Sequence, residues 1–443
     1  MIKTSADNIA ECENKIDKCN ERGNPSFGHN LNTILNRFSK RIQKKVQKIL
    51  LALLGILVAF LLLEFFLRVS EKEIYDLSSC TSLDKNFHHV MIPEKTCRFK
   101  TDEWDVVYKI NSLGLRDEEI SQIKDVDELR ILILGDSFVQ GHGVASEKTF
   151  TKVLEKRFNQ NGVNKFRLIN SGVFGYSPLI EYLYLKKEGL NFKPDLIILA
   201  FDLTDFFEDR QRFKELKISY PNLSDVELEE RIAKGEVEFN FEKINTIAAK
   251  ETTSKIVIPS VPYNLKSWFR KNFKVYAKFA DFVKKKNSNT QQDVINQGNI
   301  DKDIAAIMRG DKISDEDYQT LWQLPIENIR LIRDLLKKEG INFIVVGIPD
   351  AVQVSDQEWP GRVGLAYPLH FVDPRGPFQN KLSEELINLH VPFINMLDDF
   401  RQSKIFPLYF KNDGHWRETG HELAADIIYN ILNTPNFYQL LNK

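Results

Sequence analysis

The sequence predicts an α/β sandwich: a five-stranded parallel sheet with helices on both faces, behind one N-terminal transmembrane helix. Three observations predict it. Short apolar runs of strand length alternate with segments of helical spacing from residue 128 onward. Those runs are apolar throughout rather than alternating with polar residues, the pattern of strands buried on both faces. Residues 49–63 carry no polar side chain at all.

The N-terminal part, residues 1–47, is polar, and up to about residue 36 it has no sustained period and reads as disordered. Ile49–Leu63 (ILLALLGILVAFLLL) follows, and Glu64-Phe65-Phe66-Leu67 extends it to the roughly 20 residues that cross a bilayer. Glu64 interrupts the run near its end, where a carboxylate can reach the interface. The predicted membrane contact is therefore residues 48–68; a buried core helix is the other reading of so apolar a run. Arg37, Lys40, Arg41, Lys44, Lys45 and Lys48 precede the span, whereas Arg68 and Lys72 follow it mixed with Glu71 and Glu73. That asymmetry predicts a single-pass protein with a cytoplasmic N-terminus and everything beyond about residue 70 outside. Cys12 and Cys19 then stay reduced, while Cys80 and Cys97 lie where a bridge between them can persist.

Residues 69–127 form a membrane-proximal segment with one short strand, marked by Trp104, Val106, Tyr108 and Ile110. The main domain occupies 128–205 and 326–436. Its strands are predicted at 129–134, 166–169, 196–201, 343–348 and 391–396, and its helices at 150–158, 178–188, 326–338 and 418–432. Between its halves, 206–325 is an insertion or cap. Its aromatic and lysine-rich stretch 260–286 reads as a helix packing an aromatic stripe on the core, or else lying on a membrane surface or lining a substrate groove.

Function is narrowed first by exclusion. A formal net charge of -1 gives no support for a nucleic-acid partner, and no CxxC or HExxH cluster suggests a metal. No cofactor is expected. In open parallel sheets ligands bind beyond the carboxyl ends of the strands, and two such ends carry matching chemistry. Gly135-Asp136-Ser137 follows the first strand, placing a serine at a helix mouth where backbone N–H groups favour negative charge. Asn412-Asp413-Gly414-His415 leads into the last helix, and a histidine with a carboxylate two residues earlier supplies a general base and its orienting acid. His142 shares the serine's own loop, a poor position from which to face it, and His421 lies inside a helix as a packing residue.

These motifs resemble the sequence blocks of the GDSL/SGNH hydrolases. ILILGDSFVQGHGV is similar to the first block, Asn170-Ser171-Gly172 to the second, Asp202-Leu203-Thr204-Asp205 to the third and Asp413-Gly414-His415 to the last. The resemblance implies a Ser137–His415–Asp413 triad and an oxyanion hole from the Ser137 and Gly172 N–H groups, with Thr204 as a third donor of shorter reach. Two departures stand out. The family usually spaces acid and base as Asp-x-x-His, whereas position 412 is Asn412. The spacing found here is similar to the Asp-x-His of alginate-type sugar O-acetyltransferases. The third block also lacks its glycine and its asparagine. The implied chemistry is acyl transfer from an acylated carbohydrate or lipid ester, to water in an esterase or to a sugar hydroxyl in an O-acyltransferase. A non-catalytic envelope binding protein of the same fold is the rival reading.

Overall fold

The computed structural model describes residues 25–70, 77–121, 123–160, 165–246, 273, 275–276, 322–355, 357–358 and 377–435. They fall into two compact units, one comprising residues 1–72 with 261–284 and the other the rest of the chain.

In the first unit a single helix runs Pro25–Ser70. Residues 25–36, expected to be disordered, are helical: Pro25 is tolerated at the helix start, and no further proline follows before the apolar span. The span itself is Lys44–Phe66, 23 residues of mean hydropathy 2.9, about 35 Å of helix at 1.5 Å per residue. Its leucines are exposed, as are Phe65 and Phe66, with Leu51 at 74% and Phe65 at 66%, the surface a bilayer requires and water penalises. Glu64 is the exception. It is buried, and its carboxylate accepts the Val275 N–H at 2.9 Å, so it is satisfied within the unit rather than by the interface. Apart from residues 273, 275 and 276, the aromatic stretch 260–286 lies outside the described residues, as do Cys12 and Cys19.

The second unit is built on five parallel strands: β5 (Glu128–Leu134), β6 (Lys165–Asn170), β7 (Leu196–Phe201), β8 (Asn342–Gly347) and β9 (Phe393–Asn395), in the order β6-β5-β7-β8-β9. Alternation along each strand feeds two cores. Ile131, Ile133, Leu196 and Ile198 join Leu154 and Ile428 from the helices Phe150–Asn159 and Glu418–Leu432, and Trp416 from the loop ahead of the latter. Leu132, Leu134, Ile197 and Leu199 face the other way, onto Leu183 and Ile332 of the helices Pro178–Lys187 and Leu324–Glu339. Both faces being buried explains why these strands read as unbroken apolar runs. The order reverses direction on either side of β5, so the crevice between the ends of β5 and β7 is the switch point.

Ahead of the sheet lie two antiparallel pairs, β1 (Thr81–Asp84) with β2 (His88–Met91), and β3 (Thr96–Lys100) with β4 (Asp105–Lys109). A Cys80–Cys97 disulfide links them. Sequence patterning found only β4, since the other three are short and lack clean alternation. Nor is this segment a detached stalk. Buried Arg116 donates to the Gln140, Gly141 and Val144 carbonyls at 2.8, 2.6 and 2.5 Å and lies 3.6 Å over the Tyr108 ring. It thereby fixes the loop that follows Ser137. The described start of the expected insertion also belongs to this unit: the helices Thr204–Ser219 and Asp225–Lys234 add Leu216, Leu228 and Ile232 to the second core.

Candidate active site

At the carboxyl end of β5, Gly135 adopts a φ of +158° and a Cβ there would meet Val139 Cγ2 at 2.2 Å. Only glycine fits this turn between strand and helix. Asp136 caps the short helix Ser137–Gln140, its Oδ1 accepting the Phe138 N–H at 2.8 Å. Ser137 is thereby presented at the first helical position, where its own N–H has no intrahelical acceptor.

Ser137 Oγ lies 2.6 Å from His415 Nε2. His415 Nδ1 is in turn bonded to Asp413 Oδ1, which also accepts the His415 backbone N–H at 2.9 Å. Ser137, His415 and Asp413 are thus within hydrogen-bond reach in the order that serine activation requires. The loop carrying Asp413 and His415 is held by an isolated bridge between Tyr409 and Trp416 and by Glu103, whose carboxylate accepts the Lys411 and Asn412 N–H groups at 2.7 and 2.8 Å. Burial pulls the His415 pKa down, but the hydrogen bond and charge of Asp413 outweigh it, and the pKa is raised. Burial works against the Asp413 carboxylate, yet hydrogen bonds from His142 and His415 hold it far below the usual range.

The site opens into a cavity of about 420 Å³ lined by Ser137, Phe174, Gly175, Asp202, Pro349 and His415, among others. Asp202 is buried there, and burial with the neighbouring Asp136 pushes its carboxyl up to about 8. It is therefore mostly neutral at pH 7.

Three sequence expectations need correction. His142, expected to be poorly placed to face Ser137 from the serine's own loop, lines the cavity, because the Gly141 and Gly143 turns swing its ring back. Its Nε2 is 3.6 Å from Asp413 Oδ2 and its ring sits 4.3 Å from that of His415. Gly172 does not line the cavity. Its N–H donates to Asn170 Oδ1 at 3.0 Å, and a Cβ there would meet Gln140 N at 2.3 Å, so it is a packing glycine. Gly175, three residues on, lines the cavity instead. Thr204 is at the cavity, but its hydroxyl donates to Asp202 Oδ1 at 2.8 Å, which occupies its only proton. His421 packs as expected, its Nδ1 accepting the Phe150 N–H at 3.2 Å. Among the described residues, one cluster has metal-ligand geometry: His142, Asp413 and His415, with ligand atoms within 4.8 Å of one another. It contains the hydrogen-bonded Asp413–His415 pair, so a metal there would compete for the His415 ring.

Comparison with known proteins finds a similarity over part of the chain. Residues 313–443 match a family described as an SGNH hydrolase-like domain, acetyltransferase AlgX. The matched stretch holds β8, β9 and the Asp413–His415 loop, and stops short of Ser137. No curated protein matches. Among solved structures, an acetyl xylan esterase is 11% identical with a TM-score of 0.33, covering 69% of this chain and 100% of its own. A GDSL-like lipase from Bacteroides thetaiotaomicron is 11% identical with a TM-score of 0.33, covering 71% and 92%. A lipase/acylhydrolase from Enterococcus faecalis is 12% identical with a TM-score of 0.33, covering 69% and 95%. Residues 313–443 thus resemble an SGNH hydrolase-like domain, and the chain also carries an apolar N-terminal helix long enough to cross a membrane.

Proposed function

We propose that this protein is a membrane-anchored serine esterase acting outside the cytoplasm on O-acyl groups. The observation that carries the reading is the Ser137 Oγ to His415 Nε2 distance of 2.6 Å, with Asp413 bonded to the far side of the same ring. Ser137 attacks the ester carbonyl while His415 takes its proton, and Asp413 holds the tautomer and stabilises the imidazolium. The developing oxyanion is held by the backbone N–H of Ser137 and that of Gly175, which takes the place expected for Gly172. His415 then protonates the departing alcohol, and a second cycle transfers the acyl group from Ser137 to the acceptor.

Water as acceptor gives an esterase. A sugar hydroxyl gives an O-acyltransferase, and this second reading is favoured by the acetyltransferase description of the matched family and by the Asp-x-His spacing. Acylated carbohydrate suits either. The extracytoplasmic placement rests on the basic flank ahead of the span and is supported by the Cys80–Cys97 bridge. The test is labelling of the full chain by a fluorophosphonate, which needs an activated serine. Label on Ser137 that vanishes in Ser137→Ala and falls sharply in His415→Ala supports the triad; a wild type that takes no label refutes it. Product analysis with an acetylated oligosaccharide, with and without a second glycan, then separates free acetate from transferred acetyl groups.

A further inference from the structure

We propose that His89, on the hairpin strand β2 outside the sheet, is a positioning residue for the oxyanion hole: by gripping the Phe174 carbonyl it keeps the Gly175 N–H turned toward the catalytic cavity. The inference rests on the acyl-transfer reading of Ser137, His415 and Asp413.

Residues 173–176 form a β-turn, with the Tyr176 N–H donating to the Val173 carbonyl at 3.0 Å. Gly175 has a φ of +67°, while Phe174 is not among the residues of positive φ. That combination is a type II turn. Types I and II differ by a flip of the middle peptide, here Phe174–Gly175, and a glycine at the third position makes the flip cheap. The two edges of that peptide do different work. In a trans peptide the C=O and the N–H point in opposite directions, so whatever fixes the Phe174 oxygen also fixes where the Gly175 N–H points.

His89 fixes it. Its Nε2 lies 2.6 Å from the Phe174 oxygen. A carbonyl only accepts, so Nε2 carries the proton. The ring is buried, and burial, against the pull of that carbonyl, lowers its pKa to about 4. It is neutral at pH 7, so its Nδ1 has a free lone pair. That atom is 2.8 Å from His88 Nδ1, which therefore donates to it. His88 Nε2 completes the chain, 3.0 Å from Arg212 Nη1 and 3.2 Å from Glu215 Oε2 on the helix Thr204–Ser219. His88 holds a φ of +65°, a left-handed conformation uncommon for a non-glycine residue. The tautomer of His89 is thus dictated from one end of a four-residue chain, and its donor is aimed at one carbonyl. The turn is tied back as well, since the Tyr176 hydroxyl donates to the His89 carbonyl at 2.9 Å.

The experiment compares the full-length wild type in detergent with His89→Ala and His89→Gln, the latter retaining an N–H on a side chain of similar reach. The rate of covalent labelling by a fluorophosphonate is resolved into reversible binding and maximal rate, with thermal midpoints recorded in parallel. In His89→Ala the maximal rate should fall on the order of ten- to a hundredfold, since one oxyanion donor commonly counts for a hundredfold or more. Reversible binding should change less than about twofold, because the oxyanion contact forms mainly in the transition state. His89→Gln should recover most of the rate. The proposal is overturned by a His89→Ala rate within twofold of wild type, by a loss confined to reversible binding, or by a folded His89→Gln as impaired as His89→Ala. A wild type without label on Ser137 overturns the triad reading itself; a labelled wild type with an unaffected His89→Ala overturns this proposal alone.

Discussion

The imidazole of His142 lies against that of His415, with ring centroids 4.3 Å apart and planes inclined by 34°, while its Nε2 is 3.6 Å from Asp413 Oδ2. Asp413 therefore has a histidine beside each carboxylate oxygen: in the proposed mechanism His415 is the base, and His142 is a brace from the loop that carries Ser137. Burial and the charge of His415 lower the His142 pKa, which keeps a second cation away from the base. His142→Ala should reduce kcat about tenfold, roughly 1.4 kcal/mol of transition-state stabilisation. His142→Phe, which preserves the ring contact but not the approach to Asp413, should fall between the two. An unchanged kcat in His142→Ala, measured on a short-chain ester, contradicts the brace.

The triad predicts a common phenotype. Ser137→Ala, His415→Ala and Asp413→Asn should each lower kcat by about 10³-fold or more without additive effect in combination, since the three act as one unit. Circular dichroism should show all three folded. If Asp413→Asn were harmless and Asp136→Asn severe, the acid would be Asp136, whose Oδ2 lies 3.1 Å from Ser137 Oγ.

The pH profile follows from His415. Its pKa is raised, because Asp413 outweighs burial, and catalysis needs the neutral ring. Activity is therefore full above that pKa and lost as pH falls through it, placing the acid limb of kcat/KM above the ordinary histidine value of about 6.5. Asp413→Asn removes the main raising influence and leaves burial, so the limb of its residual activity should move down. An upward movement would contradict the pairing.

The two glycines after β6 should separate by phenotype. At Gly172 a Cβ would sit 2.3 Å from Gln140 N and 2.7 Å from the Val139 carbonyl carbon, both backbone atoms. Gly172→Ala should lower the thermal midpoint sharply or prevent folding. At Gly175 the nearest atom is Glu208 Oε1 at 3.5 Å, and the strain is only that of a φ of +67°. Gly175→Ala should cost about 1–2 kcal/mol of stability while reducing kcat more than it raises KM. The reverse pattern would restore Gly172 to the oxyanion hole.

Topology is testable independently of chemistry. A reporter active only outside the cytoplasm, fused after Lys443, should be active, and Cys80 and Cys97 should resist maleimide until reduced. A protected C-terminus would reverse the orientation and move the proposed substrate to the other compartment.

The sequence by itself determined what local pattern encodes. The apolar span, the five strands and the covering helices are legible because hydrophobic period and breakers act over a few residues, and burial on both faces leaves little ambiguity about β5 or β7. Ser137, Asp413 and His415 are legible because the ends of parallel strands converge, so chemistry-bearing residues there are brought together by topology. Tertiary structure alone decided which groups in those loops face the cavity. Gly172 and Gly175 are equivalent in sequence, and only packing on Val139–Gln140 takes the first away from the site. Thr204 presents a donor on paper, but its proton goes to Asp202 two residues back. His142 reaches Asp413 through two left-handed glycine turns. His89 meets Phe174 across 85 positions of sequence. Loop side chains are oriented by contacts between distant segments, each worth about 1 kcal/mol, and no local period records which of those contacts forms.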